Sequence, residues 1–304
     1  MNQNQTEVLN SLDTLSPLEA FKSKLSPKLM GATFMLLWAL TFSTAMAFAK
    51  TLSPEVDSVI VLFMRYFFGL VFFSPFIMRA GTKGFTTSRP VLHLIRVTTL
   101  GIAVACTYFA YRNLPLALAT SIGMTGPLFT TVLAMLLLKD NVSIAKWALI
   151  FIGYAGVIVT VRPHEMSISI GVWAALTANL FAALSIICVK LLTRTESTFT
   201  LMLYANTATT FIAGLIALVL WKTPAPSDLL ALVAVGGFGV LSQYCNVTAM
   251  RYANPSFLAP FEYTRICFAI PVGFIFFDEI PNIWVILGSL IIIGATYGLT
   301  KVEK

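Results

Sequence analysis

PSFLAPFEYTRICFAIPVGFIFFDE, the stretch from Pro255 to Glu279, decides how the rest of the chain is interpreted. It is apolar and long enough to cross the hydrocarbon core of a bilayer, about 30 Å thick. Yet it holds Glu262 and Arg265 near the end of its first third. A charged side chain at membrane depth is costly, so such groups usually face a protein interior or a water-filled cavity. The stretch therefore predicts a polar cavity inside a membrane protein.

The composition agrees with a membrane protein. Hydrophobic residues make up 58% of the 304 residues and charged residues only 11%, whereas a soluble domain has about 25% charged residues. We therefore predict an all-α polytopic protein whose surroundings are the lipid bilayer. The formal net charge of +7 is spread over short loops instead of one patch, so it does not indicate a nucleic-acid partner.

Apolar runs of roughly 20 residues, the length needed to cross a bilayer, recur along the chain. They predict ten transmembrane helices joined by short connections, which leave no room for a soluble domain. The polar residues 1–28 predict a cytoplasmic N-terminal tail. The predicted helices are 29–49, 57–78, 91–111, 115–138, 143–161, 169–189, 198–221, 229–250, 255–277 and 281–300.

The placement of lysine and arginine predicts the orientation, because cytoplasmic loops carry an excess of these residues. With the N-terminus in the cytoplasm, the inside segments hold 13 of them and the outside loops hold 4. The strongest single anchor is the loop 79–90, RAGTKGFTTSRP. We therefore expect a multi-pass protein of the cytoplasmic (inner) membrane with both termini in the cytoplasm.

The chain also repeats itself at an offset of 138 to 140 residues. Landmarks at this offset are Gly31 with Gly171, Arg112 with Arg251, Asp140 with Glu279, and Gly156 with Gly294. The offset divides the chain into two five-helix repeats, 29–161 and 169–300. Because five is odd, the second copy enters the membrane from the opposite side, which predicts an inverted repeat. Secondary transporters with this architecture bind substrate near the midplane, between the repeats.

Interrupted helices in corresponding positions of the two halves are the best sequence indication of such a binding site. Gly126 and Pro127 interrupt the fourth predicted helix, and Pro260 and Pro271 interrupt the ninth. A helix broken in this way frees backbone groups that must find partners inside the protein. The two interruptions therefore predict where the cavity lies.

Glu262 and Arg265 are the ionisable groups of the predicted site. At the repeat offset they align with Gly123 and Gly126, so the first half has no charged counterpart. Three residues apart on a helix, they could also touch, and a buried ion pair that only stabilises the ninth helix is the alternative. In the functional hypothesis Glu262 binds a cationic group or a proton, and Arg65 or Arg265 binds a carboxylate.

Further candidate substrate-binding residues are polar or aromatic side chains within the apolar runs. They are Arg65, Trp38, Tyr108, Asn179, Gln243 and Tyr263. Aromatic rings could hold a ring-bearing or cationic ligand. The alternatives are core packing for the aromatic residues, hydrogen bonds between helices for the amides, and hydrogen bonds to backbone carbonyls for the arginine.

The sequence contains no catalytic motif. HExxH, GxSxG, Walker and glycine-rich dinucleotide patterns are all missing. The four cysteines fall inside apolar runs and lack metal-ligand spacing. We therefore predict neither an enzyme nor a cofactor or metal site.

Two segments resemble the EamA-type transporters of the drug/metabolite transporter superfamily. They are Leu114–Ser143, LPLALATSIGMTGPLFTTVLAMLLLKDNVS, and Ala259–Pro281, APFEYTRICFAIPVGFIFFDEIP. The resemblance extends over about 29–300 and implies a metabolite transporter whose cavity is lined by helices 1, 3, 4, 6, 8 and 9. One departure is Lys139-Asp140, where the family usually has glycine and glutamate.

The predicted function is a secondary transporter that moves a small polar or zwitterionic, amino-acid-like metabolite by alternating access, as an exporter or exchanger. Proton coupling and oligomeric state are left open. Ser88–Pro115 also resembles the rickettsial-type S-adenosylmethionine carriers of this group, so a carrier of that type is one alternative. A membrane sensor or scaffold that transports nothing is another.

Overall fold

The computed structural model describes residues 26–53, 55–80, 86–113, 122–161, 169–277 and 283–302. All regular structure within these ranges is helical, as the composition predicted. The predicted tail 1–28 lies almost entirely outside them, and so does part of the basic loop 79–90.

The described part of the first half forms helices that match the predicted segments. They are α1 (Pro27–Lys50), α2 (Ser58–Ala80), α3 (Pro90–Asn113), α4 (Gly126–Leu138) and α5 (Ile144–Val161). Ser26 caps α1 by accepting a hydrogen bond from the Leu29 amide at 3.4 Å. Pro127 lies in the first turn of α4, where its missing N–H group is not needed. The interruption predicted at Gly126 and Pro127 is therefore the start of a helix.

The second half contains α6 (Ile170–Leu192), α7 (Thr198–Leu220), α8 (Pro226–Tyr252), α9 (Pro255–Leu258), α10 (Thr264–Phe277) and α11 (Ile283–Val302). A 3-10 turn, Ala259–Tyr263, joins α9 to α10 and contains Pro260. By contrast, α10 continues through Pro271, which does not interrupt the segment as predicted. Proline removes one backbone hydrogen bond, and the turns on either side of it keep the helix intact.

Six described segments are long and apolar enough to cross a membrane: α1, α2, α6, α7, α8 and the stretch 255–275. The helices α3, α4, α5 and α11 contribute shorter apolar stretches. Large apolar side chains cover the outside of the helices; Leu218 and Val219 of α7 are 74% and 84% exposed. An apolar surface of this extent suits lipid and not water. The total of ten membrane spans stays a prediction.

The helices of the first half pack mainly against helices of the second half. α1 lies along α8, α3 along α6, α2 along α7 and α5 along α11. Close approach depends on small residues: a Cβ atom on Gly31 of α1 would lie 2.9 Å from Cβ of Ala253, and one on Gly156 of α5 would lie 2.8 Å from the Gly288 oxygen. If each helix is replaced by its counterpart in the other half, the contact between α1 and α8 becomes the contact between α6 and α3. The helix pairing therefore has approximate two-fold symmetry.

Polar contacts join the far end of α4 to the start of α9. The Asp140 carboxylate accepts hydrogen bonds from the Asn254 amide and the Ser256 hydroxyl, each at 2.8 Å. Nearby, the Lys190 ammonium donates two bonds of 2.8 Å to the last carbonyls of α8. The two interrupted segments are thus held together at one end of the bundle.

Candidate functional site

A cavity of about 260 Å³ lies between the two interrupted segments. Its lining comes from α3, the turn before α4, α4 itself, α6, the 3-10 turn and α10. The lining residues are Thr107, Gly123, Met124, Gly126, Thr130, Asn179, Ala182, Ala183, Ile186, Glu262 and Arg265. α4 has 13 residues, so at 1.5 Å per residue the cavity lies about 20 Å from the other end of that helix.

Arg265 is held in place by contacts that leave its charge unpaired. Its Nε atom donates to the main-chain oxygen of Glu262 at 3.2 Å, and Nη2 lies 3.6 Å from the Met124 sulfur. The rings of Trp38 and Phe42 on α1 each lie with their centroids 5.3 Å from the guanidinium carbon. Within the described ranges no carboxylate forms an ion pair with Arg265. The guanidinium is therefore fixed in orientation and available to an anion.

Glu262 is the fourth of the five residues of the 3-10 turn and lines the same cavity. Its carboxylate neither pairs with Arg265 nor accepts a hydrogen bond from any other residue that the structure describes. The physical reason is local: Arg265 turns back to the carbonyl of Glu262 instead of its side chain. The geometry of the described residues does not support an ion pair that only stabilises this segment.

Asn179 of α6 fixes the interruption in the first half. Its Nδ2 atom donates to the Ile122 carbonyl at 2.6 Å and to the Thr125 hydroxyl at 2.9 Å. These bonds tie α6 to the turn before α4, whose Ile122 carbonyl also accepts hydrogen bonds from the Thr125 amide and hydroxyl. The amide therefore shapes the cavity as well as lining it.

The glycines that align with the charged pair lie in the same cavity. Gly123 and Gly126 line it together with Glu262 and Arg265. Positions equivalent by the repeat offset thus meet around one space, with two glycines from the first half and two charges from the second.

Several predicted site residues lie elsewhere. Tyr263 is fully buried against α5, where a Cβ atom on Gly153 would lie 2.9 Å from its ring. It packs with Val157 and Ile292 in a cluster that borders Met124, and it is not among the lining residues. Gln243 is half-buried on α8 and is not among the lining residues. Tyr108 belongs to α3, and its side chain is outside the described part of the structure.

Arg65 also lies outside the cavity lining. Its guanidinium carbon is 5.4 Å from the centroid of the Tyr66 ring. The side chain rests on α8, where a Cβ atom on Gly239 would lie 2.8 Å from Nε. The structure thus places Arg65 at the contact between α2 and α8.

Six lining residues were not identified from the sequence: Thr107, Met124, Thr130, Ala182, Ala183 and Ile186. Met124 lies within the SIGMTGPLF interruption, so that interruption was a usable signal. Thr107 and Ile186 belong to uninterrupted apolar helices, and no local pattern distinguishes them from core residues. Trp38 contacts Arg265 without lining the cavity, which places it directly behind the charge.

Family comparison agrees with this architecture. The model of the EamA-like transporter family matches residues 29–162 and again residues 169–301. The chain belongs to the EamA-like transporter family. It is accordingly a multi-pass membrane protein with one EamA-like unit in each half, and the cavity lies where the two units meet.

Curated relatives within this family are transporters of different metabolites. The S-adenosylmethionine uptake transporter of Rickettsia prowazekii is 27% identical over 91% of this chain and 94% of the relative. The riboflavin transporter of Brucella anthropi is 28% identical over 82% of this chain and 90% of the relative. The pseudopaline exporter of Pseudomonas aeruginosa is 25% identical over 90% of this chain and 97% of the relative.

A solved crystal structure has the same fold. It superposes with a TM-score of 0.76 over 91% of this chain and 96% of its own, at 18% sequence identity. At this identity the likeness concerns the fold alone.

Proposed function

We propose that this EamA-like protein is a secondary transporter of a small zwitterionic, amino-acid-like metabolite in the cytoplasmic membrane, working as an exporter or exchanger. The observation that carries the proposal is the pair of opposite charges in one cavity. Among the described residues, Glu262 and Arg265 form no ion pair with each other or with a third group. A ligand with an ammonium and a carboxylate group would satisfy both.

The arginine is suited to a carboxylate. A guanidinium presents a planar set of donors that matches the two carboxylate oxygens. The contacts with Trp38 and Phe42 fix its plane before a ligand arrives. In addition, α4 and α10 both begin at the cavity, and the first turn of a helix carries partial positive charge. These features favour an anionic group near Arg265 and leave Glu262 for the cationic one.

The proposed mechanism is alternating access between two inverted repeats. The symmetric pairing of helices across the two halves supports it, since α1–α8 and α6–α3 are equivalent contacts. An odd number of spans in each repeat would invert the second copy, and rocking of one repeat against the other would expose the cavity to each side in turn.

We also propose that both termini are cytoplasmic, from the excess of lysine and arginine on that side. Cysteines introduced at Ser53 and Gly84 test this with a membrane-impermeant thiol reagent. We expect labelling of position 53 from outside and of position 84 only from inside. The reverse pattern would invert the orientation and leave the fold unchanged.

A transporter of S-adenosylmethionine is the second candidate. The similarity to the Rickettsia relative over 91% of this chain favours it. That compound carries a carboxylate and an ammonium group, so it meets the charge requirement of the cavity. Its additional sulfonium and its adenosyl group need more space, which makes cargo size the property that separates the candidates.

The test is flux into proteoliposomes that contain the purified protein. A thermal-shift screen against amino acids, nucleosides, polyamines and sulfonium compounds first selects ligands, since a bound ligand raises the melting temperature by mass action. We expect a zwitterion to be stabilising and to exchange across the vesicle membrane. Stabilisation without any flux would instead support a membrane sensor or scaffold.

A further inference from the structure

The lining of the cavity contains two glycines, Gly123 and Gly126, whose presence neither packing against described residues nor backbone geometry explains. Among the residues that the structure describes, a Cβ atom on Gly123 would meet nothing within 4 Å, and one on Gly126 would meet only the Asn179 side-chain oxygen, at 3.8 Å. Neither glycine has the positive φ angle at which a side chain would be strained. A methyl group would therefore fit at both positions as far as the described part of the protein is concerned.

Two glycines of α5, Gly153 and Gly156, are different. A Cβ atom on Gly153 would lie 2.9 Å from the Tyr263 ring, and one on Gly156 would lie 2.8 Å from the Gly288 oxygen. At those two positions a side chain would collide with atoms of a neighbouring segment. At Gly123 and Gly126 the space belongs to the cavity, because both residues line it.

The remaining lining of the cavity indicates which part of a ligand would use that space. The charged groups come from the 3-10 turn and from α10, whereas the turn before α4 and the adjoining face of α6 add mainly apolar atoms. These apolar residues are Met124, Ala182, Ala183 and Ile186. A zwitterion with its charged groups at Glu262 and Arg265 would direct its uncharged part toward this side.

We propose that Gly123 and Gly126 determine the size of the cargo, by leaving room for the uncharged part of a zwitterion whose charged groups lie at Glu262 and Arg265. This inference rests on the proposed function. A side chain at position 123 would reduce the space that the cavity offers to a ligand. The variant protein would therefore still bind compact cargo and would bind bulky cargo more weakly.

The test compares methionine with S-adenosylmethionine, which share the amino-acid head and differ by the adenosyl group on sulfur. Gly123→Ala and Gly123→Val are measured beside Gly294→Ala and Gly294→Val. Gly294 is the matched control, because a Cβ atom there also meets nothing within 4 Å and the residue lies on α11, outside the cavity. We expect Gly123→Val to weaken S-adenosylmethionine binding at least about tenfold more than methionine binding. Equal changes for both probes, or equal effects of the two valine variants, would overturn the inference.

A second measurement does not depend on cargo. In a background whose four native cysteines are replaced by alanine, Gly123→Cys and Gly294→Cys are exposed to a small water-soluble thiosulfonate. We expect rapid labelling at position 123 and slow labelling at position 294, with equal labelling after denaturation. A position 123 that reacts only after denaturation would contradict the inference. If the wild type binds neither probe, the proposed cargo class is wrong, and the labelling result alone decides whether Gly123 faces an accessible cavity.

Discussion

The two interrupted segments, 122–138 and 255–277, occupy equivalent places in the two halves and differ in what they contribute. Both break beside the cavity, and both start a new helix there, α4 at Gly126 and α10 at Thr264. The first supplies glycines and a sulfur atom to the lining, and the second supplies Glu262 and Arg265. The two halves thus share one fold, in which the second half provides the charged groups and the first half provides room for a ligand.

The two breaks are also held in different ways. In the first, the Asn179 amide of α6 bonds both the Ile122 carbonyl and the Thr125 hydroxyl. In the second, the Ser43 hydroxyl of α1 donates one bond of 3.2 Å to the Arg265 carbonyl, and the 3-10 turn satisfies part of its own backbone. The first break therefore depends more on a single side chain from a neighbouring helix.

The largest expected effect is on Arg265, since the first half has no charge that could replace it. Arg265→Lys keeps the positive charge and loses the planar fork, together with the fit between Trp38 and Phe42. We expect zwitterion binding to fall about 10- to 100-fold, the range of a lost hydrogen bond to a charged group. Isothermal calorimetry on detergent-purified protein measures this, and the melting temperature without ligand serves as the control. Unchanged affinity would mean that the second segment does not supply the anion site.

The variant Glu262→Gln distinguishes three possible roles of the Glu262 carboxylate. If Glu262 binds the cationic group of the cargo, affinity falls by about 1–3 kcal/mol. If it carries a proton, flux loses its dependence on a pH gradient while substrate exchange continues. We expect one of these two results, with a melting temperature close to that of the wild type.

The third role is structural, and it contradicts our interpretation of Glu262. In that case Glu262→Gln would lower the melting temperature, and the double variant with Arg265→Gln would restore both stability and transport. Full transport with normal pH dependence in the single variant would likewise exclude a functional carboxylate.

The stability of the two breaks should differ. Asn179→Leu removes two buried hydrogen bonds, and we expect a loss of about 1–3 kcal/mol in the free energy of unfolding. Ser43→Ala removes one bond at the second break, for which about 0.5–1.5 kcal/mol is expected. Thermal unfolding of the two variants in the same detergent compares them. A larger loss for Ser43→Ala would reverse our interpretation of how the breaks are held.

The smallest effect is expected at Arg65, which lies away from both segments. If it only packs α2 against α8, Arg65→Lys should leave flux unchanged and lower the melting temperature slightly. Gly239→Ala should act in the same direction, because its Cβ atom would lie 2.8 Å from the Arg65 Nε atom. A sharp loss of flux with an unchanged melting temperature would instead indicate that Arg65 takes part in cargo binding.

Part of this arrangement was predictable from the sequence. The hydropathy pattern predicted the helical segments, because a helix that crosses the lipid bilayer needs an apolar run of a set length. The repeat offset aligned Gly123 and Gly126 with Glu262 and Arg265, and all four line the cavity. These features are local or periodic, so they are visible along the chain.

Other features depend on contacts that no local pattern records. Tyr263 follows Glu262 directly, yet it faces Gly153 of α5 because the 3-10 turn changes the direction of successive side chains. The spacing of Glu262 and Arg265 suggested an ion pair, but the same turn sends the Arg265 Nε to a carbonyl instead. Likewise, Pro271 was predicted to interrupt a helix that continues through it. Such outcomes follow from the conformation of a few residues and from their neighbours in space.

The central claim is that Glu262 and Arg265 bind the two opposite charges of one ligand. Its most direct test measures the thermal stabilisation of wild type, Glu262→Gln and Arg265→Gln by methionine, methionine methyl ester and N-acetylmethionine. The ester lacks the carboxylate, and the acetyl compound lacks the ammonium group. We predict that Glu262→Gln binds methionine and N-acetylmethionine about equally, whereas Arg265→Gln binds methionine and its methyl ester about equally. If each chemical change costs the same affinity in all three proteins, the charges of the ligand are not recognised by these residues.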